Sequence, residues 1–187
     1  MEVSGLEHLP AEGPLLLAGN HDSYWDPVAI GIAGLPRRQI KALAKVELWR
    51  THGLGPILDG MGQIPIDRGK ADAGAMERAV QELRDGACIG IFPEGTRSQG
   101  RELRARSGLG RLAELVPGTE IRCVTAIGTT DIISFPRHRP RVRVRFFTPS
   151  GGGRMLEGES AAELGARLLE ELRAEAPRVR AGRRRAD

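Results

Sequence analysis

Residues 15–27 read LLLAGNHDSYWDP, and this stretch decides the fold. The apolar run at 15–18 is short enough to be a buried strand, and Asp22 and Ser23 favour a tight turn through side-chain-to-backbone hydrogen bonds. Pro27 is suited to the first turn of a helix. The stretch therefore predicts a strand, a tight loop and a helix that begins near Asp26.

The same stretch places an imidazole and a carboxylate five positions apart, at His21 and Asp26. In a continuous helix the two side chains would lie roughly 140° apart, so they can meet only if the chain turns between them. A carboxylate bonded to one ring nitrogen fixes the tautomer and leaves the other nitrogen as a proton acceptor. The spacing predicts His21 as a general base oriented by Asp26. A purely structural alternative is a helix cap at Asp26 and a loop histidine bonded to backbone.

A second segment, FPEGTRS at 92–98, follows the apolar run 87–91, which predicts another buried strand. Gly95 allows backbone to approach a ligand closely, and the hydroxyls of Thr96 and Ser98 can donate to it. The guanidinium of Arg97 is a planar fork that fits two phosphate oxygens. The segment indicates an anion site, and the alternative is a solvated surface turn.

Two further cations stand at the ends of predicted strands. Arg68 closes the segment GQIPIDR at 62–68, and Lys45 follows the apolar residues 42–44. Both are candidate anion ligands, and both are equally explained as solubilising surface charges.

Apolar runs alternate with helical patterns along the chain. The predicted strands are 14–18, 39–44, 62–66, 87–92, 121–127 and 141–147, and the predicted helices are 26–33, 45–52, 71–84, 108–115 and 160–175. This order predicts an α/β fold: a single domain, residues 1–175, whose mostly parallel or mixed sheet is flanked by helices on both sides. Residues 176–187 are predicted to be a basic, disordered tail.

Composition excludes several classes of protein. The 187 residues are 40% apolar, and no stretch has the about 18 or more consecutive apolar residues of a spanning helix. The N-terminus lacks the pattern of a signal peptide, so we expect a cytoplasmic protein without a transmembrane segment. Cys88 and Cys123 fall within predicted buried strands and are expected to be reduced core thiols, and the four histidines have no metal-ligand spacing.

The net charge of +4 is unevenly distributed. Arginine occupies alternate positions from 137 to 145, opposite Val142, Val144 and Phe146, and five more arginines lie between 178 and 185. Two interpretations stay open: attraction to an anionic membrane surface, or a solvated face of an arginine-rich chain. Nucleic acid is not an expected partner, because aromatic content is 4% and no stacking platform is present.

Together and in this order, these segments resemble the glycerolipid acyltransferase family, which includes the lysophosphatidic acid acyltransferases. The family's first block is His-x4-Asp, usually with Asn before the His and Ser two residues after it, and the chain has NHDSYWD at 20–26. The second block ends in an arginine, matched by Arg68, and the third, FPEGTRS, is present without a gap at 92–98. A helix start that often follows is similar to GLGRLA at 108–113.

The resemblance implies a glycerol-phosphate acyltransferase-like fold and a role in phospholipid biosynthesis. It implies transfer of a fatty acyl group from an acyl thioester, acyl-CoA or acyl-ACP, to the hydroxyl of lysophosphatidic acid or a related phosphorylated acceptor. The thioester is a co-substrate and no cofactor is expected. His21 would deprotonate the hydroxyl and Asp26 would hold its ring, without a covalent acyl-enzyme. The candidate phosphate-binding residues are Arg68, Glu94, Gly95, Thr96, Arg97 and Lys45.

The chain departs from the family pattern in two places. Residues 104–107 read RARS where members commonly have an aromatic residue and a lysine, and VTAIG at 124–128 has threonine where the fourth block usually has proline. Two alternatives therefore stay open: acylation of a different hydroxyl acceptor, and a non-catalytic module that binds anionic lipid. Peripheral attachment to the cytoplasmic membrane face is also an expectation.

Overall fold

The computed structural model describes residues 1–67, 72–134 and 139–179. Over those residues it contains seven β-strands and five α-helices. In chain order they are β1 (Glu2–Ser4), β2 (Leu15–Gly19), α1 (Asp26–Gly34), β3 (Ile40–Lys45), α2 (Leu54–Gly60), β4 (Ile64–Ile66), α3 (Ala73–Arg84), β5 (Cys88–Ile91), α4 (Gly108–Leu115), β6 (Glu120–Ile127), β7 (Arg143–Phe147) and α5 (Ala161–Glu175).

The strands form one mixed sheet in the order β1-β7-β6-β2-β5-β3-β4. Each neighbouring pair is parallel except β6 and β7, which are antiparallel. In the centre, Leu16 of β2 lies opposite Ile89 of β5 and Ile121 of β6. All five residues of β2 are buried, as expected for an apolar strand covered on both faces. The predicted single-domain α/β fold is confirmed.

Side chains of β2 alternate between two apolar layers, because successive residues of a strand point to opposite faces. Leu16 and Ala18 belong to the layer under α3, α4 and α5, and Leu15 and Leu17 belong to the layer under α1. The helices therefore cover both faces of the sheet, as predicted.

The two cysteines lie buried in opposite layers and form no disulfide, as predicted. Burial raises the pKa of both the Cys88 and the Cys123 thiol to about 12. At neutral pH both groups therefore stay protonated and are poor nucleophiles.

Two elements differ from those predicted. The single helix predicted at 45–52 is instead the end of β3, a 3₁₀ turn at Val46–Arg50 and then α2, which starts after Gly53. Gly53 adopts a left-handed φ of 76°, which resets the chain direction. Strand β1 was not predicted, because its three exposed residues show no apolar alternation, and it forms only by pairing with β7.

Strand β7 has the predicted alternation. Arg143 and Arg145 are exposed and Val144 and Phe146 are buried, and Arg145 pairs with Glu175 of α5 at 2.5 Å. Arg137 lies outside the described residues, as do residues 180–187 of the predicted tail. Nowhere in the described ranges is a helix both long and apolar enough to cross a bilayer.

The parallel strands β6, β2, β5, β3 and β4 all point the same way, so their carboxyl ends share one edge of the sheet. In open α/β sheets this is the edge where ligands bind. The loops that carry His21, Phe92–Ser98 and Thr129 leave from this carboxyl edge, and Lys45 ends β3 there.

Candidate active site

The loop after β2 turns back on itself and brings His21 to Asp26. Nδ1 of His21 lies 3.1 Å from Oδ2 of Asp26, within hydrogen-bond distance. The same oxygen accepts the backbone N–H groups of Asp22 at 2.6 Å and Ser23 at 2.7 Å. These donors precede Asp26, so its carboxylate holds the loop and does not cap α1, and the helix-cap alternative is wrong.

The second carboxylate oxygen of Asp26 is held by the loop that follows β6. Oδ1 accepts the hydroxyl of Thr129 at 2.5 Å, and Ser23 Oγ donates to the carbonyl of Thr129. Asn20 exchanges two hydrogen bonds with the backbone of Ala126 in β6, at 2.8 and 3.0 Å. The loop after β6 therefore braces the His21 loop.

Thr129 is one of the residues that the sequence interpretation missed. Its only signal was its position directly after the altered fourth block at 124–128.

The His21 ring is fixed on its face as well as on its edge. It stacks on Phe92, with 4.2 Å between ring centroids and 14° between planes, and its backbone carbonyl accepts from the N–H of Ser98. With Nδ1–H donated to Asp26, Nε2 carries the lone pair. Among the residues that the structure describes, no hydrogen-bond partner of Nε2 is found. The geometry is that of an oriented base.

The cation of the chain's third motif stacks on Tyr24, which lies in the same loop as His21. The guanidinium of Arg97 sits over the ring of Tyr24, with 3.5 Å from Cζ to the centroid. In the described part of the chain, no carboxylate lies within ion-pair distance of Arg97. Thr96 is exposed beside it, and Gly95 adopts a left-handed φ of 70° that turns the loop at this point. The arrangement leaves the positive charge of Arg97 available to an anion.

The carboxylate of Glu94 is occupied by Arg173 of α5. Nε and Nη2 of Arg173 donate to the two oxygens of Glu94 at 3.2 and 2.5 Å, and Nη1 donates to Oδ2 of Asp22 at 2.8 Å. Asp22 also accepts from Asn20 and from the hydroxyl of Ser98. All these side chains are buried. The side chain of Glu94, a predicted phosphate ligand, therefore ties the 92–98 loop to α5.

The ionisation of Arg173 follows from these contacts. Burial on its own would lower the pKa of Arg173, but the hydrogen bonds to Asp22 and Glu94 outweigh it and raise the pKa above the ordinary value. The cluster is therefore a cation held between two carboxylates, which connects the His21 loop, the 92–98 loop and α5. No sequence motif indicated this role for Arg173.

The remaining predicted phosphate ligands are less closely placed. Lys45 is exposed at the end of β3, opposite Ile66 of β4. Arg68 lies outside the described residues, two positions after the end of β4. The roles of both remain predictions.

The site therefore combines an oriented imidazole with a cation that no carboxylate of the described residues neutralises. Such a pair can remove a proton from a hydroxyl on a molecule that also carries a negative charge.

Comparisons with known proteins identify relatives of this chain. A family model described as Acyltransferase matches residues 1–128. A 1-acyl-sn-glycerol-3-phosphate acyltransferase of Borreliella burgdorferi is 35% identical over 133 residues, which cover 69% of this chain and 52% of that protein. One of the same name from Bacillus subtilis is 32% identical over 98 residues, which cover 52% of this chain and 49% of that protein. The chain thus spans about half the length of the curated relatives it matches.

A solved structure has the same fold. The crystal structure of the 1-acyl-sn-glycerophosphate (LPA) acyltransferase PlsC from Thermotoga maritima aligns with 93% of this chain and 69% of its own, at a TM-score of 0.68 and 22% identity. Since the family model covers more than half of the residues, including His21, Asp26 and 92–98, the chain belongs to the Acyltransferase family.

Proposed function

We propose that this protein transfers a fatty acyl group from an acyl thioester, acyl-CoA or acyl-ACP, to the free hydroxyl of lysophosphatidic acid. The observation that carries the proposal is the His21–Asp26 pair, whose free ring nitrogen lies at the same edge as Arg97. The names of the Bacillus and Borreliella relatives support this acceptor, a lysophospholipid with a phosphate and a hydroxyl.

His21 would act as the general base. Nε2 takes the proton of the acceptor hydroxyl as its oxygen attacks the thioester carbonyl carbon. The imidazolium that forms is stabilised by the Asp26 carboxylate, which already accepts Nδ1–H. When the tetrahedral intermediate collapses, the carbon–sulfur bond breaks, and the proton on His21 passes to the leaving thiolate.

Direct attack by the acceptor needs no nucleophile from the protein. The two cysteine thiols are buried and protonated, Ser98 donates its hydroxyl to Asp22, and Ser23 donates its hydroxyl to the carbonyl of Thr129. Nδ1 of His21 contacts the carboxylate of Asp26 and not a hydroxyl or thiol of the described residues. These contacts support a mechanism without a covalent acyl-enzyme.

Arg97 and Thr96 would bind the acceptor phosphate, together with the backbone at Glu94 and Gly95. A guanidinium stacked on Tyr24 is pre-oriented, so it loses little side-chain entropy on binding. Lys45 and Arg68 are proposed as further cations of the same site. The lysophospholipid acceptor resides in a membrane, so we also propose peripheral association with the cytoplasmic membrane face.

A thiol-release assay tests the function. Purified protein is mixed with acyl-CoA or acyl-ACP and a thiol reagent, with and without lysophosphatidic acid, and the lipid product is identified by mass spectrometry. We expect thiol release that depends on lysophosphatidic acid. Release that depends on another alcohol would assign a different acceptor, and the absence of release with every alcohol tested would contradict the proposal.

Replacing Arg97 by alanine is expected to raise the acceptor KM about tenfold to a hundredfold with little change in kcat, since a charge-assisted bond worth about 1.5–3 kcal/mol is lost. Initial rates at varied lysophosphatidic acid measure this. The matched control is Arg104→Ala, which removes the same charge from an exposed position in the following loop. Equal KM values for the two variants would remove Arg97 from the phosphate site.

A further inference from the structure

Helix α1 exposes an apolar stripe to solvent. Trp25, Val28, Ile32 and Leu35 follow one another at spacings of three or four residues, which places them on one side of the helix. Their exposed fractions are 44, 36, 58 and 66%. The opposite side of α1 is buried against the sheet. A surface helix ordinarily carries polar side chains on its outer face, so the α1 stripe is unusual.

Further exposed apolar residues lie in the segment beside α1. Residues 27–36 contain no polar side chain at all. The end of α2 lies beside α1, since a Cβ built on Gly31 would come within 3.8 Å of the Met61 methyl group. Leu48 and Ile57 in this neighbouring segment are also exposed, at 36 and 56%. Exposed apolar residues clustered on one side of a helix mark an interaction site.

The charges beside the α1 stripe are mainly positive. Arg37 and Arg38 follow directly after the end of the stripe, and residues 27–46 contain no Asp or Glu. Arg37 and Arg38 donate to backbone carbonyls, and no carboxylate of the described residues forms an ion pair with either of them. The lysines of β3 face the other side of the sheet, where Lys41 pairs with Glu82 of α3. Two exposed carboxylates, Glu47 and Asp59, lie at the α2 end, where Asp59 accepts from Trp49.

We propose that the α1 stripe is the surface with which the protein docks on an anionic bilayer, with α1 lying in the plane of the headgroups. An apolar face bordered by cations matches such an interface, because acyl chains accept the apolar residues and anionic headgroups attract the cations. A second copy of the chain fits less well, since packing two stripes together would bring two sets of these cations face to face.

The position of the stripe would bring the active site close to the bilayer, an inference that rests on the proposed function. Trp25 is the first residue of the stripe and immediately precedes Asp26. The stripe therefore begins at the carboxyl edge of the sheet, where the His21 loop lies. A lysolipid could then reach His21 directly from the headgroup layer.

The basic strand β7 is the competing surface. Arg143 and Arg145 are exposed there, but Val144 and Phe146 are buried, Phe147 is partly buried against the core, and Arg145 is paired with Glu175. This face offers charge without an apolar anchor, and it lies beside α5, whereas α1 covers the other face of the sheet. We therefore expect it to contribute less to docking.

Vesicle sedimentation tests the proposal without any acyl donor, so the result does not depend on catalysis. We expect the protein to bind vesicles of phosphatidylcholine mixed with phosphatidylglycerol more tightly than phosphatidylcholine alone. The double variant Ile32→Ser/Leu35→Ser should lower the partition coefficient about tenfold or more. The matched control, Leu115→Ser/Leu156→Ser, changes two comparably exposed leucines, at 49 and 45%, away from the stripe and should bind normally. Thermal unfolding checks that both variants are folded.

Tryptophan fluorescence locates the contact. The chain has two tryptophans, so Trp49→Phe leaves Trp25 as the single reporter. We expect its emission to shift to the blue on vesicle binding and to be quenched by brominated acyl chains.

Three results would overturn the proposal. They are normal vesicle binding by Ile32→Ser/Leu35→Ser, loss of binding only in Arg141→Gln/Arg143→Gln, and an unquenched Trp25 in bound protein. A wild-type dimer that the stripe variant converts to a monomer, with vesicle binding unchanged, would assign the stripe to a second copy of the chain.

Discussion

Replacing His21 by alanine is expected to lower kcat by about 10²–10⁴, because the variant lacks the group that accepts the hydroxyl proton. The fold should persist, since the loop is held by Asp26 through the backbone of Asp22 and Ser23 and not by the ring itself. Acceptor-dependent thiol release at saturating substrate measures the change, and thermal unfolding confirms the fold.

The control for this variant is His52→Ala, which removes an exposed histidine and should leave kcat unchanged.

Asp26→Asn separates orientation from charge. An asparagine carbonyl can still accept the three N–H donors on one side while its amide faces Thr129, so stability should change little. The loss of negative charge should still lower kcat about tenfold or more. Full activity in either His21→Ala or Asp26→Asn would refute the proposed base.

Replacing Arg173 by methionine is expected to destabilise the protein by about 3–5 kcal/mol, because it leaves the carboxylates of Asp22 and Glu94 buried without their cation. Urea denaturation measures the free energy of unfolding. Under conditions in which the variant is still folded, its kcat should also be lower than that of the wild type. The reason is that Asp22 lies next to His21, and Glu94 lies in the same loop as Arg97.

The matched control is Arg145→Met, which breaks another arginine–glutamate pair with α5, but at the surface. An exposed pair contributes less than about 1 kcal/mol, so this variant should be nearly as stable as the wild type. Adding Asp22→Asn and Glu94→Gln to Arg173→Met removes the unpaired charges and should recover part of the stability. If Arg173→Met and Arg145→Met cost the same, the buried cluster does not hold the two loops.

Much of the fold could be predicted from local patterns. Local signals predicted β2, the turn after it and α1, namely the apolar run 15–18, the turn residues that follow and Pro27. The structure has all three elements at these positions. The helix predicted at 45–52 was wrong, because Gly53 adopts a left-handed conformation and α2 begins only after it. The apolar periodicity of a sequence does not show the backbone conformation of a single residue. Strand β1 has no local signal, because its partner is about 140 residues away.

The contact between His21 and Asp26 could also be predicted, since the two residues lie five positions apart on either side of a tight turn. The groups that hold this pair could not. Thr129 is 103 residues from Asp26, and Arg173 is 151 residues from Asp22 and 79 from Glu94. A hydroxyl or a guanidinium so far along the chain looks like any other polar residue until the sheet order and the packing of α5 bring it into place.

The sequence alone determined which groups are available for the chemistry, namely the imidazole with its carboxylate and the cationic loop at 92–98, because both motifs are short and local. Only the tertiary structure decided how these groups are oriented. The Asp26 carboxylate is shared among His21, two backbone amides and Thr129, and the Glu94 carboxylate faces Arg173. The physical reason is that buried charges must find partners, and those partners lie on strands and helices that meet only when the chain has folded.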